Sequence, residues 1–439
     1  MKALKTAATL LTVVAMASTL VACGPGSSST NSNANSEAPS KDLGSEKIEL
    51  KLWDGAGLKA LDDELIKAFE AKYPNITVKA TYDPDNVSAQ NGPRVISASE
   101  TPDVARITDM GSAVRGKHVV NLEEYAKLYG WDIPESQTVN YRLTDSGELG
   151  SGDLYAVPDG FTMTGLFWNK KVAAQLGITE APKTVDEFEA DLQKAKDAGV
   201  LPMMASSKDA GIIHLIDGLI INENGVDAVR EWTQQRDGAT IDTEGTAKAA
   251  QYIADWAKKG YFPDGVNALD SSTALSRFTK GEGLFFPAGN WYTSSVSEAM
   301  GADAGFIAVP PKAEGEGAGG ALDGATPFGI PTNAKHKNAA AAFIDFLLSE
   351  DAAKIAVKNG YAPVGDSEVT SDDPVMQSVL ETYTAFIKGG NTATHISNST
   401  AGIQANALIP AIQELVDGSL KPADFGAEIQ AKYADELGK

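Results

Sequence analysis

The chain has 439 residues, 43% of them hydrophobic, with a formal net charge of −22 and one cysteine. The length suffices for two or three packed domains, and a single cysteine excludes an intramolecular disulfide, so stability must come from packed cores. So acidic a chain is a poor binder of nucleic-acid phosphates or of an anionic lipid surface.

Lys2 and Lys5 precede an uncharged stretch of apolar and small residues from 6 to 22. It is short for a membrane span and has the flanks of a secretory leader. It ends Leu20-Val21-Ala22-Cys23-Gly24. This resembles the bacterial lipobox, in which a peptidase cuts before the cysteine and the thiol is acylated. The resemblance makes residues 1–22 a lipoprotein signal peptide and Cys23 the lipidation site. Two acyl chains anchor firmly where one holds only marginally. Residues 23–45 then form the lipidated cysteine and a flexible linker of Gly, Ser, Asn, Thr and Pro, with a coil reach of about 25–30 Å.

The folded body opens with a strand, Lys47 to Trp53, in which Ile48, Leu50 and Leu52 share one face. Leu58, Leu61, Leu65, Ile66 and Phe69 follow at helical spacing, and Pro74 closes that helix. Ile76, Val78 and Ala80 alternate again; another helical stretch leads to a short strand at Val104 to Ile107. The order β-α-β-α-β predicts a parallel sheet with helices on its faces, and ligands of such sheets bind beyond the carboxyl ends of the strands. Two of those ends are Trp53-Asp54-Gly55 and Thr108-Asp109-Met110. Thr164 to Trp168 reads as a further strand. Thr184 and Glu187 have capping-box spacing for a helix that buries Phe188, Leu192 and Ala195. Tyr252, Ile253 and Trp256 mark another helix. Residues 312–320 read as a mobile loop, Phe343, Ile344 and Leu347 as a helix, and Leu408, Ile409, Ile412 and Leu415 as a helical stripe.

From about residue 46 to its end the chain resembles the solute-binding proteins of ABC importers, in the sugar and oligosaccharide branch that includes maltose-binding protein. Eight segments appear in family order: Trp53-Asp54-Gly55; Ala68-Phe69-Glu70 through Pro74-Asn75-Ile76-Thr77-Val78; Thr101-Pro102-Asp103-Val104; Gly152 to Pro158 with Trp168-Asn169-Lys170 beyond it; Pro182 to Phe188; Phe278 to Gly283; Gly289-Asn290-Trp291; and Ala340 to Leu347. Two departures are Trp168, where the family has tyrosine, and Ser99-Glu100-Thr101, where it has a small residue and glycine.

The resemblance implies an α/β fold of two lobes joined by three hinge crossings, with a ligand cleft between the lobes. The expected crossings lie near Val157-Pro158, near Val309-Pro310 and just after Ser349. Lobe one is then 46–157 plus 309–350, and lobe two 161–305 plus 352–439. The implied function is capture of a sugar, an oligosaccharide by preference, and its delivery to the permease of an ABC importer. The expected setting is a monomer held by its lipid on the outer face of the cytoplasmic membrane of a Gram-positive host, without cofactor or metal.

A sugar presents hydroxyls at its edge and C–H patches on its faces, so its site needs flat aromatic surfaces with carboxylates and amides. Trp291, after the Gly289-Asn290 turn and outside any apolar period, matches the family's stacking aromatic; Asn290 and Tyr292 flank it. Asp109 and Asp54 sit at strand ends, and Asp159 and Phe161 follow the first crossing. Trp53 faces either the cleft or the core. His214 is a lone imidazole in an apolar run, read as structural or as site. Asp323 follows the mobile loop, and Tyr361, near the third crossing, is a second aromatic wall. Trp232 and Trp256, on helices, are expected in the core.

The sequence has no Gly-x-Ser-x-Gly elbow, no His-Glu-x-x-His and no phosphate loop. The expectation is a binding protein and not an enzyme. The alternatives are the same fold carrying a non-sugar solute, a secreted glycoside-acting enzyme using paired carboxylates, and a surface adhesin.

Overall fold

The structure, a computed structural model, describes residues 38–365, 369–400 and 402–438. The leader, Cys23 and the linker to residue 37 lie outside the described residues. The strands are β1 (Ile48–Gly55), β2 (Ile76–Asp83), β3 (Val104–Arg106), β4 (Arg142–Leu143), β5 (Asp153–Leu154), β6 (Val157–Pro158), β7 (Phe161–Asn169), β8 (Phe285–Gly289), β9 (Ala304–Ile307), β10 (Gly320–Gly324), β11 (Pro327–Gly329) and β12 (Thr392–Ala393).

The first sheet has the order β2-β1-β3-β11-β6. β1 pairs with β2 and β3 in parallel, as the β-α-β order predicts, while β11 joins antiparallel to β3 and β6. In β1 the alternation works as expected: Leu50 and Leu52 are buried while Glu49 and Lys51 face solvent. The helix Lys59–Lys72 lays Leu61, Leu65 and Phe69 against this core, where Phe69 meets Phe343 edge-on from the helix Lys337–Leu347.

The second sheet has the order β12-β10-β7-β8, with β9 also paired to β7. β7 is buried on both faces, and its apolar side chains accordingly divide between two cores. Met163 and Phe167 join a core that includes Phe286 and Phe306; Leu166 and Trp168 join another that includes Phe188, Trp232 and Trp256. Both helical tryptophans are fully buried, as expected. The helix Val185–Asp197 starts as its sequence spacing predicts. Thr184 Oγ1 accepts from the Glu187 amide at 3.2 Å, and the Glu187 carboxylate accepts from the Lys183 amide at 2.7 Å.

Three chain segments pass between the sheets. The first, 158–161, links β6 to β7. The second differs from expectation: the chain stays with the second sheet through β9 and β10 and crosses at 324–327, not at Val309-Pro310. Val309 belongs to the second sheet's core, and the Asn222 side chain donates to the carbonyls of Val309 and Pro310. The third crossing also lies later than Ser349. The helix Glu350–Lys358 packs on Lys59–Lys72, with Lys358 Nζ 2.8 Å from the Glu64 carboxylate, and the chain returns at Tyr361-Ala362, where Ala362 bridges Phe161. The segments run side by side: the Ala325 amide donates to the Gly160 carbonyl, and the Phe161 amide to the Ala362 carbonyl, both at 2.8 Å.

Candidate functional site

Asp54 is the last residue but one of β1, and the first crossing carries Asp159. Both side chains are buried, and Thr326 of the second crossing ties them together. Its hydroxyl donates to Asp54 Oδ2 at 2.8 Å and its amide to Asp159 Oδ1 at 2.7 Å. Asp62, from the first turn of Lys59–Lys72, is buried beside them. The nearest cation is Arg106, 3.7 Å from Asp54. Burial outweighs Arg106 and raises the Asp54 carboxyl; burial and the Asp54 charge hold Asp159 well above the usual carboxylate range. Burial, with repulsion from Asp159 and Asp54, pushes Asp62 up to about 10. Asp62 therefore keeps its proton at neutral pH. Asp54 Oδ1 and Asp159 Oδ2 are buried without a hydrogen-bond partner.

The second sheet supplies an aromatic wall. Trp291 follows β8 in a single helical turn, Asn290–Tyr292, and is half-buried. A Cβ at Gly289 would lie 1.8 Å from the Trp291 ring, so glycine is what lets the indole fold back over the strand end. The ring meets His214, from the helix Gly211–Asn224, at 5.0 Å between centres and 70° between planes. His214 lies 5.4 Å from His395. His395 Nδ1 is 2.6 Å from Asp217 Oδ2, and the His395 amide donates to Asp323 Oδ2 at 3.1 Å. Asn398 donates to the same Asp323 oxygen at 2.9 Å.

The charges in this wall are set by its neighbours. Burial alone would lower His395, but the charge and hydrogen bond of Asp217, with Asp323 behind it, hold the imidazole above its ordinary value. Burial and the nearby His395 push His214 well below its own. His214 is therefore neutral, and its Nδ1 is buried without a partner. Burial pushes Asp323 up to about 6 against the pull of His395. Tyr141 stands between the two groups: its hydroxyl accepts from the Gly324 amide at 2.7 Å and feels the charge of both Asp323 and Asp159.

The sequence-predicted residues thus divide. Trp291, Tyr292, His214 and Asp323 lie together on the second sheet's side; Asp54 and Asp159 lie together beside the crossings. Tyr361 is half-buried at the third crossing. Asp109 is exposed and caps the helix Met110–Arg115, accepting from the Ser112 amide at 2.9 Å. Trp53 takes the core option. Phe161 is core too, its ring 5.9 Å from that of Tyr383. Asn290 is fully buried and its amide is spent within the fold, accepting from the Met163 amide and donating to the carbonyls of Phe161 and Gly360 at 2.8, 3.1 and 2.9 Å. Sequence reasoning missed His395, Asp217, Asn398 and Asp62. The one available signal was scarcity, since His395 is one of only four histidines.

Among the described residues no group of three or more His, Cys, Asp or Glu is placed to hold a metal ion, and no helix is long and apolar enough to cross a membrane. The arrangement offers an indole face, a neutral imidazole and hydrogen-bonding carboxyls.

A family described as bacterial extracellular solute-binding protein matches residues 54–354. An uncharacterized ABC transporter extracellular-binding protein of Pyrococcus horikoshii is 24% identical over 394 residues, covering 85% of this chain and 83% of that one. The galactooligosaccharide-binding protein of Bacillus subtilis is 24% identical over 392 residues, covering 86% and 85%. Among solved structures, a chitin oligosaccharide binding protein superposes with a TM-score of 0.69 at 20% identity, over 90% of this chain and 100% of that chain.

Proposed function

Because the chain belongs to the bacterial extracellular solute-binding proteins, we propose that it captures an oligosaccharide between its lobes and hands it to the permease of an ABC importer. The observation that carries the choice of a sugar is the wall around Trp291. An indole face stands beside the orphaned Nδ1 of a neutral His214 and the carboxyl of Asp323. Stacking takes the C–H face of a sugar ring, while the imidazole and carboxyls take its hydroxyls. The names of the Bacillus subtilis relative and of the chitin oligosaccharide binder support the same class of ligand.

The proposed cycle uses no covalent chemistry. A ligand that touches both the acids beside the crossings and the aromatic wall favours the closed arrangement by its differential contacts, and a few kcal/mol suffices to shift the population. Cys23 would carry the acyl anchor, and the linker would let the body range near the membrane while staying attached.

A thermal-shift screen against mono- and oligosaccharides, followed by small-angle scattering with the best hit, tests the proposal. The expected result is a raised melting temperature with one sugar class and a smaller radius of gyration at saturation. No shift with any sugar, or a shift without compaction, overturns it.

A further inference from the structure

We propose that Arg236 is a positioning residue that sets ligand affinity from outside the ligand site, by latching the two lobes together; the idea rests on the proposed opening and closing of the cleft.

The hairpin β4–β5 is fixed to the first lobe. Arg142 pairs with Glu123 at 2.8 Å, and the Leu122 amide donates to the Leu154 carbonyl at 2.8 Å. Its turn, 144–150, passes over the helix Met110–Arg115, where a Cβ at Gly147 would lie 2.5 Å from the Gly111 carbonyl oxygen, and also meets the second lobe. There the helix Val226–Thr233 is capped by Gln234, and Gln235 just beyond it has a φ of 59°, left-handed in a non-glycine residue. The Gln235 side chain is tied down, donating to the Ser399 carbonyl at 2.8 Å. This reversal turns Arg236 toward the turn of the hairpin. Arg236 Nη2 donates to the Leu149 carbonyl, and Nη1 lies 4.0 Å from the Glu148 carboxylate.

A second contact beside it is equally close. Gly150 has φ +88°, and a Cβ there would lie 2.4 Å from Gln234 Oε1. The turn is thus shaped to seat on residues 234–236. The helix that leads into Arg236 is itself braced to the second sheet, since Arg230 donates to the carbonyls of Thr392 and Gly390 at 2.7 and 2.6 Å. One rigid body therefore grips the other at a point where none of the candidate ligand residues lies. Opening the cleft must break the contact, so its strength weighs directly on the open–closed equilibrium and, through it, on apparent affinity.

The test uses the ligand-free mature chain carrying Cys23→Ser, with spin labels on cysteines introduced at the exposed Lys127 and Lys248, one per lobe. Dipolar spectroscopy should show a population at the closed distance. Arg236→Ala should reduce it at least threefold, Arg236→Lys should restore part of it, and Glu148→Lys should reduce it too. Glu148 is 65% exposed, so its replacement leaves folding intact. A ligand-free chain found only at open distances, or Arg236→Ala and Glu148→Lys variants with unchanged distances, overturns the latch. No sugar enters the measurement, so this failure is separate from failure to bind an oligosaccharide.

Discussion

The imidazole of His214 meets the indole of Trp291 edge-on, with 5.0 Å between ring centres. That contact fixes which way the indole faces without burying it. Trp291→Ala should therefore weaken binding of the cognate sugar by about 2 kcal/mol or more, over tenfold, with the fold intact. Trp256 is fully buried, its ring 5.5 Å from Phe188. Trp256→Ala should instead cost roughly 3–5 kcal/mol of stability. Calorimetric titration and thermal melts on both variants check the pair. Normal binding with early melting for Trp291→Ala would move that residue to the core.

Asn290 satisfies three buried backbone groups from two other segments. Asn290→Ala removes all three bonds, with only the Phe161 carbonyl keeping another donor, the Ala362 amide, and should cost about 3 kcal/mol in denaturant unfolding. Asn290→Asp should be no better, because a carboxylate cannot donate to the Phe161 and Gly360 carbonyls. Wild-type stability in either variant would contradict the structural role.

Asp62 is pushed up to about 10 in the folded chain, against roughly 3.9 when unfolded. Between those values the folded state holds a proton that the unfolded state has lost. The stability linked to this group is thus full below about pH 4 and falls as pH rises toward 10. Asp54 and Asp159 are raised as well and act in the same sense. Asp62→Asn keeps the shape without the titrating proton. It should melt a few degrees above wild type at pH 8, with the gap closing near pH 4. A pH-independent difference would mean that Asp62 is ionised in the fold.

Cys23→Ser should release the chain into the medium while sugar binding persists. Fractionation of cells expressing the two forms reads the first effect, and titration of the released protein the second. Retention of the variant in the membrane fraction would remove Cys23 as the anchor.

Where one segment carries its own period, the sequence was enough. β1, β2 and the helices Lys59–Lys72, Val185–Asp197 and Glu244–Lys258 each show their buried face within a dozen residues. The later crossings had no such signal. Val309-Pro310 follows a strand and looks like an exit, yet Asn222, 87 residues away in sequence from Val309, holds it back. β10 is Gly-Ala-Leu-Asp-Gly, with no alternation to mark it. The site divides the same way. Trp291 stood out because it followed a turn, whereas His395 and Asp217 are 178 residues apart and become a pair only in three dimensions. Asp109 and Asn290 show why strand ends are hard to read: a polar residue there serves the backbone as readily as a ligand.

The order of the first sheet dictates when the protein can become itself. β3 and β6 touch only through β11, and β11 lies at Pro327–Gly329. The Asn290 knot also waits for Gly360. A chain emerging amino end first can thus complete neither the first sheet nor the hinge until about three quarters of it has appeared. Non-local closure of this kind is slow to nucleate. A polypeptide threaded outward through a narrow pore would stay pliable for nearly its whole passage, and would lock only on the far side.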